Sequence, residues 1–111
     1  MVRDDQVRLR HMLDAAREAV EFARGRNRTE LDTNRMLSLS LVRLLEVIGE
    51  AAYGISPSFR ESHADIAWKQ MSGMRNRLIH GYYDVNLDIV WKTVTEDPPV
   101  LIKQLENVLE K

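Results

Sequence analysis

Apolar side chains return at three- and four-residue steps along most of this chain, and no stretch alternates as a half-buried strand would. That periodicity calls for amphipathic helices. From Asp4 to about Arg24, the residues Leu9, Met12, Leu13, Ala16, Ala19, Val20 and Ala23 form one stripe, and Gly25 is its natural stop. The polar stretch from Arg26 to Thr33 offers Thr29, Asp32 and Thr33 as caps for a second helix starting near Thr33 and running to about Tyr53. Its broad apolar face is Leu37, Leu41, Leu44, Leu45, Ile48, Ala51 and Ala52, and Tyr53-Gly54 ends it. Gly49 sits inside this helix at a cost of about 1 kcal/mol against Ala, tolerable where another backbone approaches closely.

Ser56-Pro57 predicts a short helical turn to about Glu61, with Pro at the favoured first position. A third long helix is expected from near Asp65 toward His80, with Ile66, Ala67, Met71, Met74, Leu78 and Ile79 apolar and a break at Gly81. The last quarter reads as two segments: Leu87 to Glu96, capped by Asn86, and a final one opened by Asp97-Pro98 and carrying Leu101, Ile102, Leu105, Val108 and Leu109. The expected fold class is therefore all-α, an antiparallel bundle of four main helices plus a short helical turn, in a single domain over residues 1–111.

The absence of Cys excludes disulfides, thiolate catalysis and Cys-ligated zinc. With 16 basic and 17 acidic residues the formal net charge is -1, so a nucleic-acid partner cannot be read from net charge. There is no charged-then-apolar leader and no apolar run near the ~20 residues that span a bilayer. A cytoplasmic protein with no membrane partner is expected. Glycine-rich phosphate loops, a Gly-x-Ser-x-Gly elbow and paired His residues at helical ligand spacing are all missing, and His11, His63 and His80 lie far apart. Neither a metal nor a cofactor is expected.

Between Asp65 and Asp84 the chain carries Lys69, Arg75, Arg77 and His80 without one carboxylate, a local cationic surface in a neutral protein. The centre reads Arg75-Asn76-Arg77-Leu78-Ile79-His80-Gly81-Tyr82-Tyr83. An anion binder, an amide, a group titrating near neutrality and two phenols beside a chain break are the parts of a phosphodiester-cleaving site. On a regular helix Arg75 and His80, five steps apart, diverge by about 140°, whereas Asn76 and His80 share a face. Convergence of Arg75 and His80 needs the helix to open near Gly81, or a two-fold dimer that brings the segment twice to one cleft.

The pattern Arg75-Asn76-x-x-x-His80-x-Tyr82 resembles that of HEPN ribonucleases, specifically the HepT-like toxin branch, and the resemblance covers nearly the whole chain. Supporting matches are Ile48-Gly49-Glu50-Ala51-Ala52, Trp68 ahead of Gly73-Met74-Arg75-Asn76, and Asp88-Ile89-Val90-Trp91 followed by Asp97-Pro98. Pro98-Pro99 departs from the family's more usual Leu then Pro and touches no site residue. The resemblance implies a HEPN-type bundle, a homodimer with a composite cleft, metal-independent RNA cleavage, and a type VII-like pairing with a minimal nucleotidyltransferase antitoxin. That antitoxin would transfer AMP from ATP to Tyr82, with Tyr83 outside the motif.

Each of these residues also has a plainer reading. Arg75 suits a surface helix, His80 a helix C-terminus stabilised by the macrodipole, Asn76 a helix-to-loop bridge, and Tyr82 a helix end it covers. In the catalytic reading Arg75 stabilises the phosphorane, His80 transfers protons, Asn76 orients His80 or the substrate, and Arg77 contacts RNA. Trp68, Trp91, Met71 and Met74 read as packing residues. Arg24, Arg26 and Arg28 form a solvated run that could meet RNA or an acidic antitoxin face. The alternative function is a non-catalytic helical dimer that binds a nucleotidyltransferase or a nucleotide, using the same Arg and His as phosphate ligands.

Overall fold

The computed structural model describes residues 3–80 and 84–110, with the side chains of Arg75, Ile79, His80 and Asp84 outside that description. Three long helices carry the bundle: α1 (Arg3–Ala23), α3 (Arg35–Tyr53) and α7 (Leu87–Leu109), with α1 packed on both others. The core they enclose is the one the periodicity marks. Leu9, Met12, Ala16 and Ala19 of α1 meet Leu41, Leu45, Ile48 and Ala52 of α3 and Val90, Val94, Leu101 and Leu105 of α7, all essentially out of water. Short elements fill the gaps: α2 (Glu30–Thr33), α4 (Pro57–Ser62), α5 (Trp68–Ser72), α6 (Met74–Leu78), and a two-stranded antiparallel ladder of β1 (Ile79–His80) and β2 (Asp84–Val85). No helix among the described residues is long and apolar enough to cross a membrane.

Gly25 stops α1 with φ +72, a left-handed conformation that Gly adopts without a steric penalty. Ser56 caps α4 by accepting from the Phe59 N–H, with Pro57 in the first turn, and Asn86 caps α7 by accepting from the Ile89 N–H at 3.2 Å. The cap of α3 is a correction: Asn34, not Thr29, Asp32 or Thr33, accepts from the Leu37 N–H at 3.0 Å. Those three polar residues instead belong to α2 and its first turn, so the chain makes one extra helical turn before α3. Asp5, at the start of α1 and nearly fully buried, accepts from both the backbone N–H and the hydroxyl of Ser56, tying α1 to the entry of α4.

Two expected boundaries fall elsewhere. The third helix does not run unbroken from Asp65 to His80. Ala67, at φ -81 and ψ 63, makes an inverse γ-turn in which the Trp68 N–H reaches the Ile66 carbonyl at 2.9 Å. Helix α5 therefore begins only at Trp68, whose indole N–H donates to the His63 carbonyl at 2.9 Å. Helix α6 follows after Gly73 and stops at Leu78, three residues before Gly81, because Ile79 and His80 pair with Val85 and Asp84 and the Asn86 N–H takes the Leu78 carbonyl at 2.8 Å. Conversely, the two C-terminal segments are one helix. Pro98 and Pro99 lie inside α7 and each removes a helical donor, an interior cost of about 3 kcal/mol apiece. The apolar stripe from Val90 through Pro98 to Leu105 stays continuous, and its burial holds both halves in line.

Candidate active site

Arg75 lies in α6 and His80 in β1, on two different elements joined at Leu78. The 140° divergence computed for one regular helix therefore does not apply, and Asn76 and His80 do not share a helical face. The helix opens before His80 rather than at Gly81, and the ladder register Ile79↔Val85 and His80↔Asp84 fixes the exit path. The side chains of Arg75 and His80, and Tyr82 with Tyr83 entirely, lie outside the described residues.

Asn76 and Arg77 are exposed on α6 and diverge. Asn76 lines a cleft of about 320 Å³ with Glu46, Gly49, Glu50 and Tyr53 of α3 and Ser72 of α5. The charge of Arg77 acts on Asp97 of α7: partial burial raises the Asp97 carboxyl pKa, and Arg77 is the largest influence pulling it back down, with Glu96 raising and Lys92 lowering it. The cationic stretch is thus flanked by carboxylates from both neighbouring helices. Sequence reading saw the absence of acids along the segment but not those that the fold supplies. The outward repeat Glu46, Glu50, Tyr53, one turn apart on a helix whose other face is apolar, was the available signal.

The helix α3 reaches this site through Gly49. A Cβ there would stand 2.6 Å from the Met71 carbonyl oxygen and 3.2 Å from the Met74 Cβ, so only glycine allows α5 and α6 to approach so closely. Met71, Met74 and Trp68 are buried core residues and Trp91 is half-buried against the core, as packing residues should be. His63 stacks on Phe59 with ring centroids 4.1 Å apart, and His11 is exposed on α1. The Arg24–Arg28 run is neutralised: Arg24 pairs with Glu21 at 2.7 Å, Arg26 with Glu30 at 2.9 Å, and Arg28 with Asp32 at 3.2 Å and Asp88 at 2.8 Å. Each arginine of the run that could meet RNA or an acidic partner face therefore also faces a carboxylate of its own chain.

A family described as Ribonuclease HepT-like matches residues 12–108. The chain belongs to the HepT-like ribonuclease family. Relatives include "Putative RNase TTE0752" of Caldanaerobacter subterraneus subsp. tengcongensis, 37% identical over 93% of this chain and 92% of its own. "Putative RNase MJ1380" of Methanocaldococcus jannaschii is 38% identical over 96% and 97%. "Probable ribonuclease HepT" of Thermococcus cleftensis is 33% identical over 97% and 98%. No solved structure matches the chain. The HepT-like assignment agrees with the all-α bundle.

Proposed function

We propose that this HepT-like ribonuclease cleaves RNA without a metal, as the toxin of a pair whose antitoxin is a minimal nucleotidyltransferase. The observation that carries the reading is the separation of Arg75 and His80 onto α6 and β1, since it frees them from the helical geometry that would point them apart. In this reading His80 removes the proton of a ribose 2'-hydroxyl, the 2'-oxygen bonds to the adjacent phosphorus, and the bond to the 5'-oxygen breaks. The products are a 2',3'-cyclic phosphate and a free 5'-hydroxyl, the latter protonated by the second His of a dimer. Proton transfer of this kind is worth ~10²–10⁴ in rate. Arg75 stabilises the phosphorane charge, an attraction of about 4 kcal/mol at 4 Å and an effective dielectric near 20 before desolvation is subtracted. Asn76 orients substrate or His80.

A homodimer is supported by the surface beside the ladder. Met36 and Leu39 are 81% and 51% exposed on α3, and Leu39 lines a groove of about 340 Å³ shared with Val42, Val85 and Leu87. A second copy seated there would cover exposed apolar surface next to β2 and bring two β1 segments near one axis. Control falls to Tyr82, two residues past His80: an attached AMP places a phosphate where the RNA backbone would bind.

The test is cleavage of RNA in EDTA by the parent, Arg75→Ala and His80→Ala, with helicity checked by circular dichroism. The parent should leave 2',3'-cyclic ends, and both variants should be inactive with parental helicity. Near-parental cleavage by either variant would refute the catalytic roles, and a parent that binds RNA without cutting it would favour the phosphate-binding module.

A further inference from the structure

We infer that the cleft between α3 and the α5–α6 corner is a nucleobase subsite that selects guanine next to the scissile phosphate. This deepens the ribonuclease reading and rests on it for the identity of the ligand as RNA. The cleft begins at Asn76, the chain neighbour of Arg75, so a base held in it belongs to a nucleotide at or beside the cleavage point. Its volume, about 320 Å³, falls at the lower end of small-ligand sites, which run ~300–1,000 Å³.

The walls have the two parts that single-stranded RNA recognition uses, an aromatic platform and polar groups for a base edge. Tyr53, which lines the cleft, is an aromatic side chain left 76% exposed, and every base has a face that can stack on it. The opposite chemistry comes from Glu46 and Glu50, one helical turn apart on α3, with Glu50 3.8 Å from Arg43. An ionised carboxylate only accepts hydrogen bonds. Guanine is the base whose Watson–Crick edge presents two adjacent donors, N1–H and the N2 amino group. Adenine and cytosine set a single amino donor beside an acceptor, and uracil sets one N–H between two carbonyls. A pair of carboxylate oxygens therefore matches guanine and meets an acceptor on each of the others. The same negative charge repels phosphate, so the strand enters base first and leaves its backbone toward the α6–β1 junction. Gly49 contributes no side chain to the floor, and the Ser72 hydroxyl already donates to the Lys69 carbonyl, which leaves its oxygen as a further acceptor.

The experiment is calorimetric titration of the purified chain with four 2'-O-methylated dinucleotides, GpA, ApA, CpA and UpA, none of which can be cleaved through the 2'-oxygen. GpA should bind at least tenfold more tightly than the others. The Glu46→Gln/Glu50→Gln double variant, isosteric at one half-buried and one exposed position, should shrink that preference below threefold. Tyr53→Ala should weaken all four about tenfold, within the range of lost base stacking, while Tyr53→Phe binds as the parent does. Equal affinity for the four, or a preference unchanged in the double variant, overturns the subsite. Mapping of cut sites on unmodified RNA separates the two claims: selective GpA binding without any cleavage refutes the nuclease mechanism alone, and cleavage at all bases alike with equal binding refutes the subsite alone.

Discussion

Replacing Gly49 by Ala sets two effects of known sign against each other. In an exposed helix interior, Ala is better than Gly by about 1 kcal/mol. At this position the new Cβ would lie 2.6 Å from the backbone oxygen of Met71, whereas real Cβ atoms essentially never come under 3.0 Å of a neighbour. Because the obstacle is a carbonyl in α5 and not the tip of a flexible side chain, it cannot rotate aside; α5 and α6 must retreat by at least about 0.4 Å along the seam, and the Met74 Cβ contact at 3.2 Å retreats with them. Overpacking of this kind costs typically 1–3 kcal/mol. After the propensity gain is subtracted, Gly49→Ala should be less stable than the parent by about 1 kcal/mol. For a domain of this size that lowers the Tm by roughly 4 °C. Because α6 carries Arg75 and Asn76, RNA cleavage should fall as well. Urea unfolding followed by circular dichroism measures the first effect, with Gly54→Ala as the control: its Cβ would meet the side chain of Arg8, which can swing away. A Gly49→Ala protein as stable as its parent, with full cleavage, would show that the seam yields freely and that the close approach is not what demands glycine.

Four further outcomes can be measured. Thr93 is 1% exposed on α7 with a hydroxyl that has no hydrogen-bond partner, so Thr93→Val should raise stability by about 1 kcal/mol, read as a higher urea midpoint; a lower midpoint would mean the hydroxyl is satisfied after all. Burial lifts the Asp97 carboxyl pKa and Arg77 pulls it back, so Arg77→Ala should move the Asp97 titration, followed by carbon NMR, to higher pH; an unmoved curve would remove Arg77 from its neighbourhood. Because the folded state holds that proton more tightly than the unfolded one, ionising Asp97 costs stability. The cost is absent below the ordinary carboxylate range and complete above the raised folded value, so Asp97→Asn should stabilise at pH 7 and not at pH 3. Finally, a partner nucleotidyltransferase with ATP and magnesium should add AMP to the parent and silence it, while Tyr82→Phe stays active and unmodified by intact mass; an AMP increment on that variant, for instance at Tyr83, would move the target.

The long helices were legible because burial repeats with the helical period: the stripe Leu9, Met12, Leu13, Ala16, Ala19 is dictated by α1 alone. The cap at Asn86 and the stop at Gly25 were legible for the same reason, being local chemistry. What failed was non-local. Nothing in Met74–His80 says that β2, farther along the chain, will take Ile79 and His80 out of the helix. Asp97-Pro98 has the composition of a helix start, yet the apolar stripe on both sides packs as one face and overrides the missing donors. At the site, the order Arg75, Asn76, His80 identified the family, but the identity of the opposing wall, Glu46, Glu50 and Tyr53, is set by how α3 crosses α5 and α6 at Gly49.

That opposing wall changes what the cationic segment can do. A run of Lys69, Arg75, Arg77 and His80 without acids reads as a phosphate-binding strip, but Arg77 works against the charge of Asp97, and Asn76 opens onto two glutamates. Nonspecific affinity for RNA scales with the number of phosphates neutralised, with a slope of about -0.7 per phosphate in log affinity against log salt for single strands. With Asp97 acting against Arg77 and two glutamates lining the cleft at Asn76, this segment offers RNA less net positive charge than its sequence alone suggests. In the proposed reading, affinity then comes from base contacts and from Arg75 and His80. In the proposed reading, the same shortage lets a single phosphate suffice for control. There, an AMP on Tyr82 would add about one negative charge to a chain with no surplus of positive charge, and would remove a large fraction of the attraction rather than a small one. A strongly basic nuclease could absorb that addition; this one, at a net charge of -1, has no surplus with which to do so.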